Sequence, residues 1–193
     1  MVVVTDRTTD RAHALSDNGK AMVLLSNHLL TLPAFESLKG VVVRINLAHV
    51  NDLNELELFL QRTHDIYLDY PKGRTKPPVP SLSFADAIDV VKKHFNIRYF
   101  ATTVEDVSEL AFICDVLPDH AQLVPKIETL KGVLNLAKMF ATGKIKRIML
   151  DSEDLYTDVM NDVELFVDLQ RRVKRTCDEY NVQLLQLYGV VFA

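Results

Sequence analysis

Short runs of apolar, largely β-branched and aromatic residues punctuate the chain at Val2–Val4, Ala21–Leu25, Val41–Ile45, Ile66–Leu68, Arg98–Thr102, Gln122–Ile127, Arg147–Leu150 and Gln183–Leu187. Most are continuous in apolar character instead of alternating, the pattern of strands covered on both faces of a parallel sheet. Between the later runs the period changes to three and four. Phe84, Ala87, Ile88, Val91 and Phe95 form one such stripe behind Ser83 and Asp86, a capping pair. Val107, Leu110, Ala111, Cys114 and Leu117 form the next, with Thr103 and Asp106 at its start. Val133, Ala137 and Phe140 make a third, and Val163, Phe166, Val167, Val173 and Cys177 a fourth.

Strand and helix alternating on this scale predict βα units around a parallel sheet, and eight strands in that order predict a TIM-type (β/α)8 barrel. Such barrels usually run to about 250 residues and seldom fall below roughly 200. At 193 residues this one is minimal, a single domain over 1–193. Asp6–Lys20 has no clean period, and Tyr70–Ser81, with Pro71, Gly73, Pro77, Pro78 and Pro80, reads as a loop.

Composition adds exclusions. A 48% hydrophobic content is enough for one buried core, and a net charge of −4 with scattered basic residues argues against a nucleic-acid partner or an anionic membrane surface. No apolar run approaches the roughly 20 residues of a membrane span, and Met1–Val4 is too short for a signal segment. Cys114 and Cys177 sit on core-facing helical positions and read as free thiols in a reducing, cytoplasmic setting.

In a parallel barrel the chemistry gathers at the carboxyl ends of the strands. Four ends carry polar groups: Arg44-Ile45-Asn46, Leu68-Asp69, Lys126-Ile127-Glu128 and Asp151-Ser152-Glu153-Asp154. Taken singly, an acid at a strand end commonly caps the next helix. Taken together, two acids from neighbouring strands with a Lys and an Arg describe a metal site and an anion clamp in one pocket, with Glu128 and Asp154 suited to a hard divalent cation. His49 and His64 fall near the same rim, each more simply read as a surface or capping residue.

These strand ends resemble a known family. Val41-Val42-Val43-Arg44-Ile45-Asn46-Leu47-Ala48-His49 is similar to the Arg-Leu-Asn-Phe-Ser-His strand end of pyruvate kinases. Ile66-Tyr67-Leu68-Asp69 with Pro71–Thr75, the Pro80–Asp86 segment, Lys126-Ile127-Glu128 and Glu153-Asp154-Leu155 resemble further stations of the same family in the same order. Class II aldolases and citrate-lyase β-subunit-like enzymes of the phosphoenolpyruvate/pyruvate barrel superfamily are similar at Ile127-Glu128-Thr129, Gly132-Val133 and Glu153-Asp154-Leu155. Their two metal-binding acids are separated by the interval found here between Glu128 and Asp154.

The resemblance implies that Glu128 and Asp154 hold Mg2+ or Mn2+, that Arg44 contacts a substrate phosphate or carboxylate, and that Lys126 stabilises negative charge at the reacting centre. It also places Asn46 and Asp69 at a monovalent-cation position and Arg74 at a phosphate. The departures narrow the reading. Ala48 and Tyr70 replace the family's hydroxyl residues, Thr75–Ser81 leaves no room for a lid domain, and the family's C-terminal regulatory domain is not expected. The implied function is a metal-dependent lyase or aldolase working on a pyruvate- or oxaloacetate-like α-keto acid through an enolate. The alternatives are a lidless phosphotransferase acting on phosphoenolpyruvate, and a degenerate barrel with a binding or assembly role. A homo-oligomer is compatible with any of them.

Overall fold

The structure is a computed structural model that describes residues 21–26, 41–61, 64–73 and 77–186. Within them the chain forms seven strands: β1 (Ala21–Ser26), β2 (Val41–Asn46), β3 (Asp65–Tyr70), β4 (Ile97–Thr103), β5 (Gln122–Ile127), β6 (Arg147–Leu150) and β7 (Gln183–Gln186). All pair in parallel and in sequential order, β1 to β7, as a half-barrel sheet. Seven of the eight expected strands are thus present, and among the described residues no pairing closes β7 onto β1. The runs at Val2–Val4 and Asp6–Lys20 lie outside the described residues.

Among the described residues six α-helices accompany the strands: α1 (Leu53–Leu60), α2 (Phe84–Lys93), α3 (Val107–Val116), α4 (Leu130–Phe140), α5 (Ser152–Asp158) and α6 (Val163–Tyr180). Each begins behind an oxygen-bearing cap that accepts a first-turn N–H: Asp52, Ser83, Asp106, Thr129, Asp151 and Asp162. Ser83 and Asp86 form a reciprocal capping box, as the sequence predicts. Thr103, by contrast, is the last residue of β4, and Asp106 alone caps α3. A 3-10 turn, Leu47–His49, follows β2.

The main core lies between sheet and helices, where Val43, Ile45, Leu68, Phe100, Ile127 and Leu150 meet Val91, Leu110, Val133 and Val173. Not every predicted stripe residue joins it. Phe95 falls past the α2 cap, is exposed, and stacks on His120 at 4.7 Å. On α4 the inward residue is Leu136, while Ala137 is exposed. Cys177 is buried, whereas Cys114 is only partly covered. Gly132 has a steric reason to be small: a Cβ there would stand 3.4 Å from the Val104 carbonyl and 3.3 Å from the Thr129 hydroxyl.

The opposite face of the sheet carries a second, smaller cluster of Val42, Tyr67, Tyr99, Ala101, Val124, Met149 and Leu185. Strand side chains alternate between faces, so residues two positions beyond these share their face. That rule sends Arg44, Asp69, Thr103 and Lys126 inward, with Glu128 and Asp151 continuing the same rows just past their strands.

Candidate functional site

At the carboxyl ends of β2, β3, β4 and β5 the inward rows end in a buried ionic group. Asp69 is 1% exposed, Lys126 4% and Arg44 8%. Asp69 divides its two oxygens between two cations. Oδ2 accepts from Arg44 Nε at 3.0 Å and from Nη2 as well, while Oδ1 faces Lys126 Nζ at 3.6 Å. Lys126 Nζ also lies 3.0 Å from Glu128 Oε2. The other Glu128 oxygen, Oε1, accepts a short hydrogen bond from the Thr103 hydroxyl.

Burial by itself disfavours every charge in this group, yet the partners decide. For Asp69 burial is outweighed by the Lys126 ammonium and the Arg44 guanidinium, which hold its carboxyl below the ordinary range. Lys126 is likewise buried, and Asp69 and Glu128 raise its pKa above that of an ordinary lysine. Glu128 is the reverse case: burial raises its carboxyl, against the opposing pull of Lys126 and the Thr103 hydrogen bond. Asp151 is raised too, by burial first and by Asp154 in addition, with Lys126 opposing.

Glu128, Asp151 and Asp154 offer three carboxylate oxygens within 4.8 Å of one another. Glu128 follows β5, Asp151 follows β6 and caps α5, and Asp154 stands in the first turn of that helix, donating its own N–H to Asp151. An all-carboxylate set without sulfur or imidazole fits a hard divalent cation. Such a cation would also offset the burial that disfavours charge on Glu128 and Asp151.

The cluster borders an open cavity of about 500 Å³ whose lining includes Lys72, Thr103, Lys126, Glu128, Asp154 and Asp158. Lys72 reaches it from the loop after β3 and is ion-paired to Glu109 at 2.6 Å. Asp158 accepts from the Leu130 N–H at 2.7 Å and so ties the end of α5 to the start of α4. Arg44 and Asp69 are not part of the lining.

The structure therefore brings Arg44, Asp69, Lys126, Glu128 and Asp154 to one rim. Asn46 is adjacent but serves the backbone, its side-chain oxygen accepting from the Ala48 N–H at 3.0 Å. Asp69, expected beside a monovalent cation, holds Arg44 and Lys126 instead. Arg74 lies outside the described residues. His64 precedes β3, at the end of the sheet away from this rim, and His49 belongs to the 3-10 turn after β2. Two participants were named in the sequence without a role in the site: Asp151, at the start of a polar strand end, and Thr103, read at the start of a helix. The signal for both was the two-residue alternation, Met149 to Asp151 and Ala101 to Thr103.

No family model matches the chain, and no curated protein matches it by sequence. Solved structures do match. A HpcH/HpaI aldolase/citrate lyase family protein from Burkholderia cenocepacia superposes with a TM-score of 0.66 at 12% identity, over 83% of this chain and 77% of that one. Macrophomate synthase gives 0.61 at 14% identity, over 79% and 65%. The CitE protein of Mycobacterium tuberculosis, solved with magnesium, acetoacetate and coenzyme A, gives 0.54 at 12% identity, over 75% and 56%. The chain thus spans 65% of macrophomate synthase. At these identities the likeness is one of fold, shared with aldolase- and lyase-type proteins.

Proposed function

We propose that the chain is a magnesium-dependent carbon–carbon lyase acting on a pyruvate- or oxaloacetate-like α-keto acid. The observation that carries the proposal is the Glu128, Asp151 and Asp154 carboxylate cluster beside the Lys126 ammonium, at the rim of a cavity of small-molecule size. The neighbours' names point the same way, and magnesium accompanies acetoacetate in one of them. Closure of the sheet into a full barrel belongs to the same proposal.

When bound, the divalent cation supplies Lewis-acid stabilisation of the negative charge left on the keto acid as the carbon–carbon bond breaks. The chain's own residues do the rest. Thr103 holds one Glu128 oxygen in place, and the capping bond from Asp154 N–H fixes Asp151. Lys126 lines the cavity and is 4% exposed, so it would place a largely dehydrated positive charge beside Glu128 at the substrate's edge. Arg44 stands behind Asp69, outside the cavity lining, and stabilises the ionic group from below.

The test is turnover of oxaloacetate and of 4-hydroxy-2-keto acids by the purified protein with magnesium, read as pyruvate formed. Activity that falls at least about 100-fold in Glu128→Gln and in Asp151→Asn supports the reading. Calorimetry should show magnesium binding lost in the same variants, with the exposed Glu153→Gln as control. A separate arm offers phosphoenolpyruvate and ADP. ATP formation that depends on Lys126 would replace the lyase by a phosphotransferase.

A further inference from the structure

We propose that Lys126 occupies Glu128 in place of the metal and transfers its ion pair to Asp69 when the metal binds, so that Asp69, anchored by Arg44, is a positioning residue that sets metal affinity. This rests on the metal site argued above and concerns residues behind it.

The geometry has three parts. The ammonium sits between two buried carboxylates but unequally, 3.0 Å from Glu128 Oε2 and 3.6 Å from Asp69 Oδ1. Each carboxylate has its other oxygen already engaged, Glu128 Oε1 by Thr103 and Asp69 Oδ2 by Arg44. The two oxygens that remain, Glu128 Oε2 and Asp69 Oδ1, are both buried and neither receives a well-formed hydrogen bond. A buried acceptor left in that condition is costly, and one ammonium is the donor both of them face.

A cation bound at Glu128, Asp151 and Asp154 would compete for the Glu128 carboxylate and repel the ammonium. Two like charges a few ångströms apart in a partly dehydrated site repel strongly even at an effective dielectric of about 20. Asp69 Oδ1 then becomes the better partner, and a displacement under roughly 1 Å brings Nζ into hydrogen-bond range of it. The charges balance only once a divalent ion is bound, since Asp151 and Asp154 are otherwise uncompensated. Arg44 and Lys126 neutralise Asp69 and Glu128 before binding, and Asp151 and Asp154 match the charge of a divalent ion after it. Without the Asp69 charge the ammonium loses its partner on the side away from the metal, so it stays on Glu128 and competes with the metal.

The experiment is calorimetric titration of the full chain with magnesium in a double-variant cycle. Lys126→Met should tighten metal binding roughly tenfold by removing the competitor, and Asp69→Asn should weaken it roughly tenfold, magnitudes typical of coupled sites. In the Lys126→Met background, Asp69→Asn should change affinity by no more than about twofold, because Asp69 acts through Lys126. An equal loss in both backgrounds would mean that Asp69 contributes only its charge, and would overturn the proposal while leaving the metal site intact. If wild type binds no magnesium, the site itself fails and this inference with it. Should Asp69→Asn not fold, crystals of wild type with magnesium decide: Nζ bonded to Asp69 Oδ1 and clear of Glu128 supports the transfer, and Nζ retained on Glu128 refutes it.

Discussion

Loss of the Asp69 charge should damage stability, because it takes a carboxylate away from two buried cations. Asp69→Asn keeps the shape but removes the negative charge that faces Arg44 at 3.0 Å and Lys126 at 3.6 Å, in a group no more than 8% exposed. At an effective dielectric of about 20, each attraction is worth roughly 5 kcal/mol before relaxation. Lys126 keeps Glu128 at 3.0 Å, so most of its share is recovered. Arg44 loses the carboxylate that takes two of its N–H donors. Removing one partner of a buried ion pair costs about 3–5 kcal/mol net, a large part of the roughly 5–15 kcal/mol that stabilises a domain. The assay is urea denaturation followed by circular dichroism, with the midpoint falling at unchanged slope.

The pH dependence has a definite sign. Asp69 is held below its unfolded pKa of about 4, so its contribution is complete above that value and is lost as pH falls through the lower, folded value. Wild type should lose stability on acidification more steeply than the variant. A loss below about 1 kcal/mol at neutral pH, with the acid limb unchanged, would refute the reasoning.

Two further predictions concern the core. Burial pushes the Cys177 thiol up to about 12, so iodoacetamide at pH 8 should leave it unmodified in the native protein and alkylate it in urea, as mass spectrometry of the Cys177 peptide would read. On α4, Leu136→Ala should cost about 2–5 kcal/mol in thermal or urea unfolding. Ala137→Gln should stay within about 0.5 kcal/mol, because Leu136 is 1% exposed while Ala137 faces solvent. Equal effects at the two positions would place the helix face wrongly.

What the sequence determined by itself is what local patterning controls. Continuous apolar runs mark strands buried on both faces whatever their neighbours, and seven of the predicted runs are strands of one parallel sheet. Helical stripes and caps are equally local, which is why Ser83 with Asp86 was readable as a capping box. Polar residues at strand ends converge on one rim, where Lys126, Glu128 and Asp154 all border one cavity.

The tertiary structure decided how those groups are spent. Strand register aligns Asn46 with Asp69 and Thr103 with Lys126, and the distance between Arg44 and Asp69 follows from that alignment. No spacing along the chain encodes it. Arg44 thereby becomes a counter-ion to Asp69, where the sequence had offered it as an open anion clamp. Asp151 shows the same limit: as a helix cap and as a carboxylate beside Glu128 it looks identical in sequence, because both roles ask for an oxygen at the end of a strand. Only the side-by-side packing of β5 and β6, which sets Ile127 against Leu150, brings the two acids close enough to act on one cation.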